Sequence, residues 1–324
     1  MTMTTSVAPF RLRPWFSERP WGRKSLLPWY AETGTTQLVG EAWLTGPQCE
    51  VEEGELEGKT LGSLTTELGG EFPLLVKLLF PNEKLSVQVH PDDAQALRVG
   101  QPWGKTECWY VAHAKPGSQI ALGLKAGVTT AQLEEAIHQN RAEEVLNWIN
   151  VYAGDMIYVA GGTVHTLGPG SIIVETQQQS DMTYRLYDYG RPRELHLRDG
   201  MAAVREKVKS GKVLRPAPEQ ISSKTRRAPL VAAPYFVVEM YEAKDSLDLS
   251  VRDDSGKSSA QILVAVEGCG AIEAPGFEPV TLAKGDAVVV PASVPNFCVR
   301  PQWSLEFLRA YVPGKSLPEP ETRM

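Results

Sequence analysis

Short apolar segments, separated by Gly, Pro, Asn and Asp, recur along most of the chain and constrain its fold more than any other feature. Each segment is too short for a typical helix and has the length of a strand. Strands at such spacing are typical of antiparallel sandwiches and barrels. We therefore predict a mainly β protein. The clearest segments are residues 84–89, 108–111, 157–160, 171–174, 260–266 and 287–290.

Two stretches break this pattern and predict helices. Residues 92–99 follow a proline and predict one short helix. Residues 129–148 begin with a threonine pair and then place apolar residues at roughly helical intervals. The second stretch predicts a helix–turn–helix insert with a break near Asn140.

A polar, Lys- and Pro-rich stretch in the middle of the chain separates two β-rich regions that resemble each other. Gly154-Asp155 leads into an apolar strand in the first region, and Gly285-Asp286 does so in the second. A histidine, His165, follows only the first copy, so we expect the chemistry there. The predicted division is a catalytic domain at 1–205 with the helical insert at about 126–150, a linker at 206–228, and a second, non-catalytic domain at 229–324.

Charge and cysteine content exclude several classes of partner. The net charge is −6 and the cations are scattered, whereas duplex binding needs a basic stripe, so we expect no nucleic-acid partner. Apolar runs are shorter than a membrane-spanning helix requires, and residues 1–16 lack a signal-peptide pattern. The four cysteines form no CxxC pair and predict reduced thiols. We expect a cytoplasmic protein that does not bind membranes; its oligomeric state stays open.

Three segments place polar residues two positions apart within apolar strands, so that their side chains share one face. Any one of them alone is also typical of a half-solvated strand. Together they offer two imidazoles, a carboxylate and an amide oxygen, an N/O set that suits zinc, although Gln is an uncommon ligand. The residues are Ser86, Gln88 and His90 in the first segment, Lys105 and Glu107 in the second, and Thr163 and His165 in the third.

The sequence after His165 predicts a hairpin. Gly168-Pro169-Gly170 has turn composition and lies between two apolar runs. Strand pairing around this turn would place Glu175 on the same inner face as His165. Arg185 and Arg191 follow, and on sequence alone each is equally compatible with a surface position.

Several of these segments resemble the type I mannose-6-phosphate isomerases (phosphomannose isomerases) of the cupin superfamily. The amino-acid sequence of these segments is most similar to the short bacterial class of that family. The resemblance implies two cupin barrels, which are double-stranded β-helix or jelly-roll folds, with a small α-helical insert. It is carried by PLLVKLL at 73–79, LSVQVHPDD at 85–93, GKTECWYV at 104–111 and the long run at 162–191.

The same resemblance implies a reaction and a site. The reaction interconverts mannose 6-phosphate and fructose 6-phosphate through an enediolate, by proton transfer between C1 and C2. Glu175, a lysine or a zinc-bound water remain alternatives for the base. The implied residues are Gln88, His90, Glu107 and His165 for one Zn²⁺ per chain, Arg185, Glu175 and Lys105 for catalysis, and Ser86, Lys77 and Arg191 for substrate binding.

Three other functions compete with this interpretation. A non-enzymatic cupin that senses a sugar phosphate could lack Glu175 or Arg185, and both are present. An isomerase of free sugars would need no cations beside the pocket, whereas Lys105 and two arginines are available for a phosphate. Iron-dependent cupin dioxygenases favour His-rich sets with open positions, which a Gln/Glu/His₂ set fits less well.

Overall fold

Strands dominate this computed structural model, which describes residues 7–253 and 255–324, so the mainly β prediction is confirmed. Residues 1–6, part of the N-terminal stretch that lacks a signal-peptide pattern, lie outside the described residues. The strands are β1 (Phe10–Leu12), β2 (Trp15–Arg23), β3 (Val39–Trp43), β4 (Leu74–Leu79), β5 (Val87–Val89), β6 (Glu107–Ala114), β7 (Gln119–Leu124), β8 (Leu146–Asn150), β9 (Met156–Val159), β10 (His165–Leu167), β11 (Ser171–Gln178), β12 (Tyr184–Tyr187), β13 (Gly211–Val213), β14 (Glu219–Gln220), β15 (Thr225–Ala232), β16 (Val237–Ala243), β17 (Leu247–Ser250), β18 (Gln261–Glu273), β19 (Val280–Ala283), β20 (Ala287–Val290), β21 (Asn296–Tyr311) and β22 (Thr322–Arg323). The helices are α1 (Thr65–Leu68), α2 (Asp93–Arg98), α3 (Thr130–His138) and α4 (Leu197–Ala203), with 3₁₀ turns at Leu61–Ser63 and Ala142–Val145.

The strands form three sheets. A five-stranded sheet has the order β12-β5-β10-β7-β8, and an eight-stranded sheet has the order β2-β3-β4-β11-β6-β9-β13-β22. The third sheet has nine strands in the order β1-β20-β18-β21-β16-β15-β14, with β17 beside β21 and β19 beside β18. The finer description of these sheets as two cupin barrels stays a prediction.

The eight-stranded sheet is covered on both faces. Ile173 of β11 packs in one apolar cluster with Leu122 of the five-stranded sheet. The next residue, Val174, packs in another cluster with Val264 of the nine-stranded sheet. Successive side chains of a strand point to opposite faces, so a strand covered on both sides can be apolar throughout. This explains why every residue of β4 is buried.

The two ends of the described chain cross between the sheets. β1 pairs with β20 in the nine-stranded sheet. β22 pairs with β13, which in turn pairs with β9 in the eight-stranded sheet. Residues 211–213 and 219–220, within the stretch interpreted as a linker, form β13 and β14. The division at 1–205, 206–228 and 229–324 stays a prediction.

The helical predictions are correct in part. α2 forms as expected, and Asp92 caps it through a reciprocal bond pair with Gln95. α3 also forms, and the break falls at Asn140, whose φ is 58°. The second helix of the insert is wrong, because 142–145 is a single 3₁₀ turn and 146–150 is strand β8, which pairs with β7. The backbone N–H and C=O groups along the edge of β7 need hydrogen-bond partners. Pairing with them outweighs the weak helical preference of residues 146–150. No helix among the described residues is long and apolar enough to span a membrane.

Candidate active site

Two facing sheets supply the polar cluster predicted from strand faces. Gln88 lies on β5, His165 on β10, and the two are cross-strand partners in the five-stranded sheet. His90 follows directly after β5. Glu107 lies on β6 of the eight-stranded sheet and projects toward the same space. Ligand atoms of His90, Glu107 and His165 all lie within 4.8 Å of one another.

The predicted hairpin after His165 is wrong. β10 pairs with β5 and β7, whereas β11 pairs with β4 and β6, so residues 168–170 cross from one sheet to the other. Backbone hydrogen bonds to other segments hold residues 168–170 in place. Gly168 N donates to Gln119 O, and Gly170 N donates to Pro81 O. A Cβ at Gly168 would lie 2.6 Å from that same Gln119 oxygen, so the crossing requires glycine there. Glu175 faces the cluster nonetheless, from the opposite sheet.

Backbone packing fixes the segment that carries His90. Gly162 N donates to His90 O at 2.7 Å, and Lys105 N donates to Pro91 O at 2.9 Å. A Cβ at Gly104 would stand 2.6 Å from the Asp92 carbonyl carbon. The glycine in the GKTE motif therefore allows the segment that carries Lys105 and leads into β6 to lie against the segment that follows His90.

Both histidines are oriented toward Glu107 by backbone oxygens. The Nδ1 atom of His90 is 2.8 Å from Met182 O, and that of His165 is 2.9 Å from Thr163 O. A proton on each Nδ1 leaves Nε2 as a free lone pair, and each Nε2 lies 3.5 Å from a different Glu107 oxygen. Metal-binding histidines are commonly oriented by backbone contacts of this kind.

The cluster has the properties of a metal site. Both Glu107 carboxylate oxygens are buried and have no hydrogen-bond partner within the described residues. Lys105 Nζ approaches one of these oxygens only to 3.5 Å. Leaving buried oxygens without a hydrogen bond is costly, and a metal cation is a partner that fits both of them. Burial lowers the pKa of His165 to about 4 and the pKa of His90 well below its usual range, so both are neutral at pH 7, the form that binds metal. The donor set fits zinc.

Gln88 and Lys105 complete the immediate surroundings of the cluster. The Gln88 Nε2 atom is 3.2 Å from His165 Nε2, and turning the amide over presents its oxygen to the same place. Lys105 Nζ lies 3.1 Å from His90 Nε2 and 3.5 Å from Glu107 Oε2. Burial lowers the pKa of Lys105, but Glu107 and Glu175 outweigh it and raise the pKa above its usual value, so the lysine stays charged.

A cavity of about 400 Å³ opens beside the cluster. Its walls come from both sheets, and its size suits a small polar ligand. Of the predicted site residues, it is lined by Lys77, Ser86, Gln88, Lys105, Glu175 and Arg185. Further lining residues that the sequence did not single out include Arg19, Glu41, Asp181 and Arg193.

Glu175 occupies an environment suited to proton transfer. Trp109 Nε1 donates to its Oε1 at 3.1 Å, and Lys77 Nζ lies 3.9 Å from its Oε2. Burial first, and then the negative charge of Glu107, raise the pKa of Glu175 to about 7. The carboxyl group can therefore exchange its proton near neutral pH.

The two predicted arginines occupy different places. Arg185 pairs in register with Gln88 and lines the cavity, and within the described chain its buried Nε has no hydrogen-bond partner. Arg191 is not among the lining residues; its guanidinium lies 2.9 Å from Glu83 and 3.2 Å from Asp188. Arg193, two positions later, lines the cavity instead. The sequence signal that could have found Arg193 is the Arg-Pro-Arg motif at 191–193. By itself this motif does not show which of its two arginines faces the cavity.

Comparisons with known proteins identify the family of this chain. Residues 47–103 match the family model for the catalytic domain of type I phosphomannose isomerase. A mannose-6-phosphate isomerase of Streptococcus mutans is 33% identical over 309 residues, covering 89% of this chain and 94% of that protein. The mannose-6-phosphate isomerase ManA of Bacillus subtilis is 38% identical over 221 residues, covering 62% of this chain and 69% of ManA.

Solved structures show the same architecture. A crystal structure of mannose 6-phosphate isomerase from Bacillus subtilis superposes with a TM-score of 0.83 at 30% identity, covering 94% of this chain and 99% of that one. A zinc-bound mannose 6-phosphate isomerase has a TM-score of 0.71 at 16% identity, covering 95% of this chain and 100% of that one, and shares the fold. The Streptococcus mutans relative covers most of this chain at 33% identity, and the chain belongs to the type I mannose-6-phosphate isomerase family.

Proposed function

We propose that this protein is a zinc-dependent isomerase that interconverts mannose 6-phosphate and fructose 6-phosphate. The observation that carries the proposal is the buried Glu107 carboxylate, which accepts no hydrogen bond within the described residues and faces two neutral imidazoles beside a cavity lined partly by cations. Family membership supports the same reaction. The free state of all four cysteines is compatible with the expected cytoplasmic location.

Gln88, His90, Glu107 and His165 are the proposed zinc ligands. The described residues contain one such His/Glu cluster, so we propose one ion per chain. Bound there, zinc supplies positive charge that favours oxyanion character on the substrate oxygens. The protein holds the site ready for it, since the backbone oxygens of Met182 and Thr163 fix both rings.

Glu175 is the proposed base. It takes the proton from C2 of mannose 6-phosphate and returns it to C1, with an enediolate between the two transfers. A base works best when its pKa is close to the working pH, and in the metal-free protein the pKa of Glu175 is raised to about 7. The Trp109 indole holds one of its oxygens by a hydrogen bond, and the Lys77 ammonium lies 3.9 Å from the other.

Lys105 and Arg185 are the proposed stabilisers of negative charge. Lys105 remains protonated between Glu107 and Glu175, and so can donate to a substrate oxygen at the cluster end of the cavity. The free Nε of Arg185 can donate from the five-stranded sheet. For Ser86 and Lys77 we propose direct contact with the sugar, and for Arg191 an indirect role through Asp188, which it contacts.

Isomerisation in D₂O tests the proposal. Zinc-loaded protein is incubated with mannose 6-phosphate, and NMR follows both fructose 6-phosphate and deuterium entering at C1 and C2. We expect conversion with exchange, and a roughly 10²- to 10⁴-fold lower rate in Glu175→Gln with zinc content unchanged. Folded, zinc-loaded protein that binds the sugar phosphate without converting it would instead support the sensor alternative.

A further inference from the structure

Three arginines converge on one wall of the active-site cavity. Arg19 comes from β2 of the eight-stranded sheet, and Arg185 from β12 of the five-stranded sheet. Arg193 follows β12 and lines the same cavity. The same lining also contains Gln88 and Glu175, which belong to the proposed reaction centre.

Carboxylates outside the cavity's reaction centre hold two of these guanidinium groups in fixed orientations. Arg193 donates from Nε and Nη2 to the two oxygens of Asp188, at 2.7 Å and 2.6 Å. Arg19 donates from Nε and Nη2 to the two oxygens of Glu41, at 3.0 Å and 3.2 Å. Such paired bonds fix the plane of the guanidinium as well as its position.

The anchoring carboxylates are themselves secured. The Asp188 side chain is only 2% exposed and also accepts a bond from Arg191 at 3.2 Å. Glu41 accepts a bond from Trp43 Nε1 at 2.7 Å. Both arginines are therefore oriented before any ligand arrives, and little side-chain entropy remains to be lost on binding.

Donors remain available on this wall. The two bonds to Asp188 use two of the five N–H groups of Arg193 and do not involve Nη1. The buried Nε of Arg185 has no acceptor in the described part of the chain. Guanidinium N–H groups without an acceptor beside a cavity are suitable donors for an oxyanion such as a phosphate.

We propose that Arg193, oriented by Asp188, and Arg19, oriented by Glu41, form the subsite for the 6-phosphate. This inference rests on the proposed function and deepens it. The sugar then lies with its phosphate at the arginines and with C1 and C2 at Glu175 and the metal cluster. Selection of phosphorylated over free hexose comes from this arginine pair, and Arg191 acts only by securing Asp188.

The test compares Arg193→Gln with Arg198→Gln, an arginine whose side chain is 93% exposed and whose guanidinium bonds only to Asp199 among the described residues. We expect Arg193→Gln to raise KM for mannose 6-phosphate about 10- to 100-fold while kcat changes much less, because charge-assisted hydrogen bonds to the phosphate are lost. Inhibition by inorganic phosphate should weaken by a similar factor. Arg198→Gln should match the wild type in both measurements.

Two further variants keep the test decisive. Arg193→Lys retains the charge but not the paired geometry, so we expect partial recovery of KM. If Arg193→Gln does not fold, Arg19→Gln carries the same prediction. A wild-type enzyme that converts mannose 6-phosphate, together with folded Arg193 and Arg19 variants whose KM and phosphate inhibition stay within about twofold of it, would overturn the subsite. A wild type without turnover would count against the proposed function, and phosphate binding followed by ³¹P NMR would still test the arginines separately.

Discussion

Glu175 should make the metal-free protein less stable as the pH rises, and Glu175→Gln should remove that effect. Its pKa is raised from an ordinary 4.5 to about 7 by burial and by Glu107. Between these values the folded protein keeps a proton that the unfolded chain has already released. Folding therefore favours the protonated form, and stability falls as pH rises through this window. The variant carries no such proton.

The magnitude follows from the width of the window. A difference of about 2.5 pH units corresponds to about 3 kcal/mol of unfolding free energy, of which roughly 2.5 kcal/mol falls between pH 5 and pH 8. Urea unfolding of chelator-treated wild type and Glu175→Gln at both pH values measures it. Relative to the wild type, the unfolding free energy of the variant should rise by that amount from pH 5 to pH 8. The side-chain oxygen of the variant can still accept the Trp109 bond.

A second carboxylate provides the control. Burial raises the pKa of Glu41, but Lys77 and Arg19 outweigh it, so the pKa lies below its usual value. Glu41 is then ionised above pH 6 in both the folded and the unfolded state. The difference in unfolding free energy between the wild type and Glu41→Gln should therefore stay constant from pH 6 to pH 8. A pH-independent difference in unfolding free energy for Glu175→Gln as well would refute the raised pKa of Glu175.

Three further changes have defined outcomes. Glu107→Gln should reduce bound zinc to less than about a tenth of the wild-type content, measured by elemental analysis after dialysis, because it removes the anionic ligand. Arg185→Ala should lower kcat about 10²-fold or more while zinc content stays constant, and loss of the metal in this variant would contradict its assigned role. Gly104→Ala should destabilise the protein by about 1–3 kcal/mol in thermal unfolding, because the new Cβ would lie 2.6 Å from the Asp92 carbonyl carbon; an unchanged melting temperature would show that the backbone yields easily.

Alternation along single strands was the part of the site that the sequence could predict. Gln88 and His90 share a face because they are two residues apart, and Glu107 does so with Lys105. That rule needs no knowledge of which strands are neighbours. The grouping of His90, Glu107 and His165 in space agrees with it, while the roles of these residues stay a prediction.

Pairing between distant strands was the part that the sequence could not predict. Glycine and proline at 168–170 indicate a turn equally well whether the chain folds back on itself or crosses to another sheet. Local composition likewise could not show that residues 146–150 add to β7. Arg191 and Arg193 both bond to Asp188, so this local contact does not show in the sequence which of the two arginines lines the cavity. These features arise from tertiary contacts that override local preference.

The most direct test of the account is isomerisation of mannose 6-phosphate before chelation, after chelation, and after zinc is added back. We expect activity to disappear with the metal and to return with zinc, while far-UV circular dichroism shows that the metal-free protein stays folded. Full activity in protein shown to be free of metal would contradict the proposed role of the His90, Glu107 and His165 cluster.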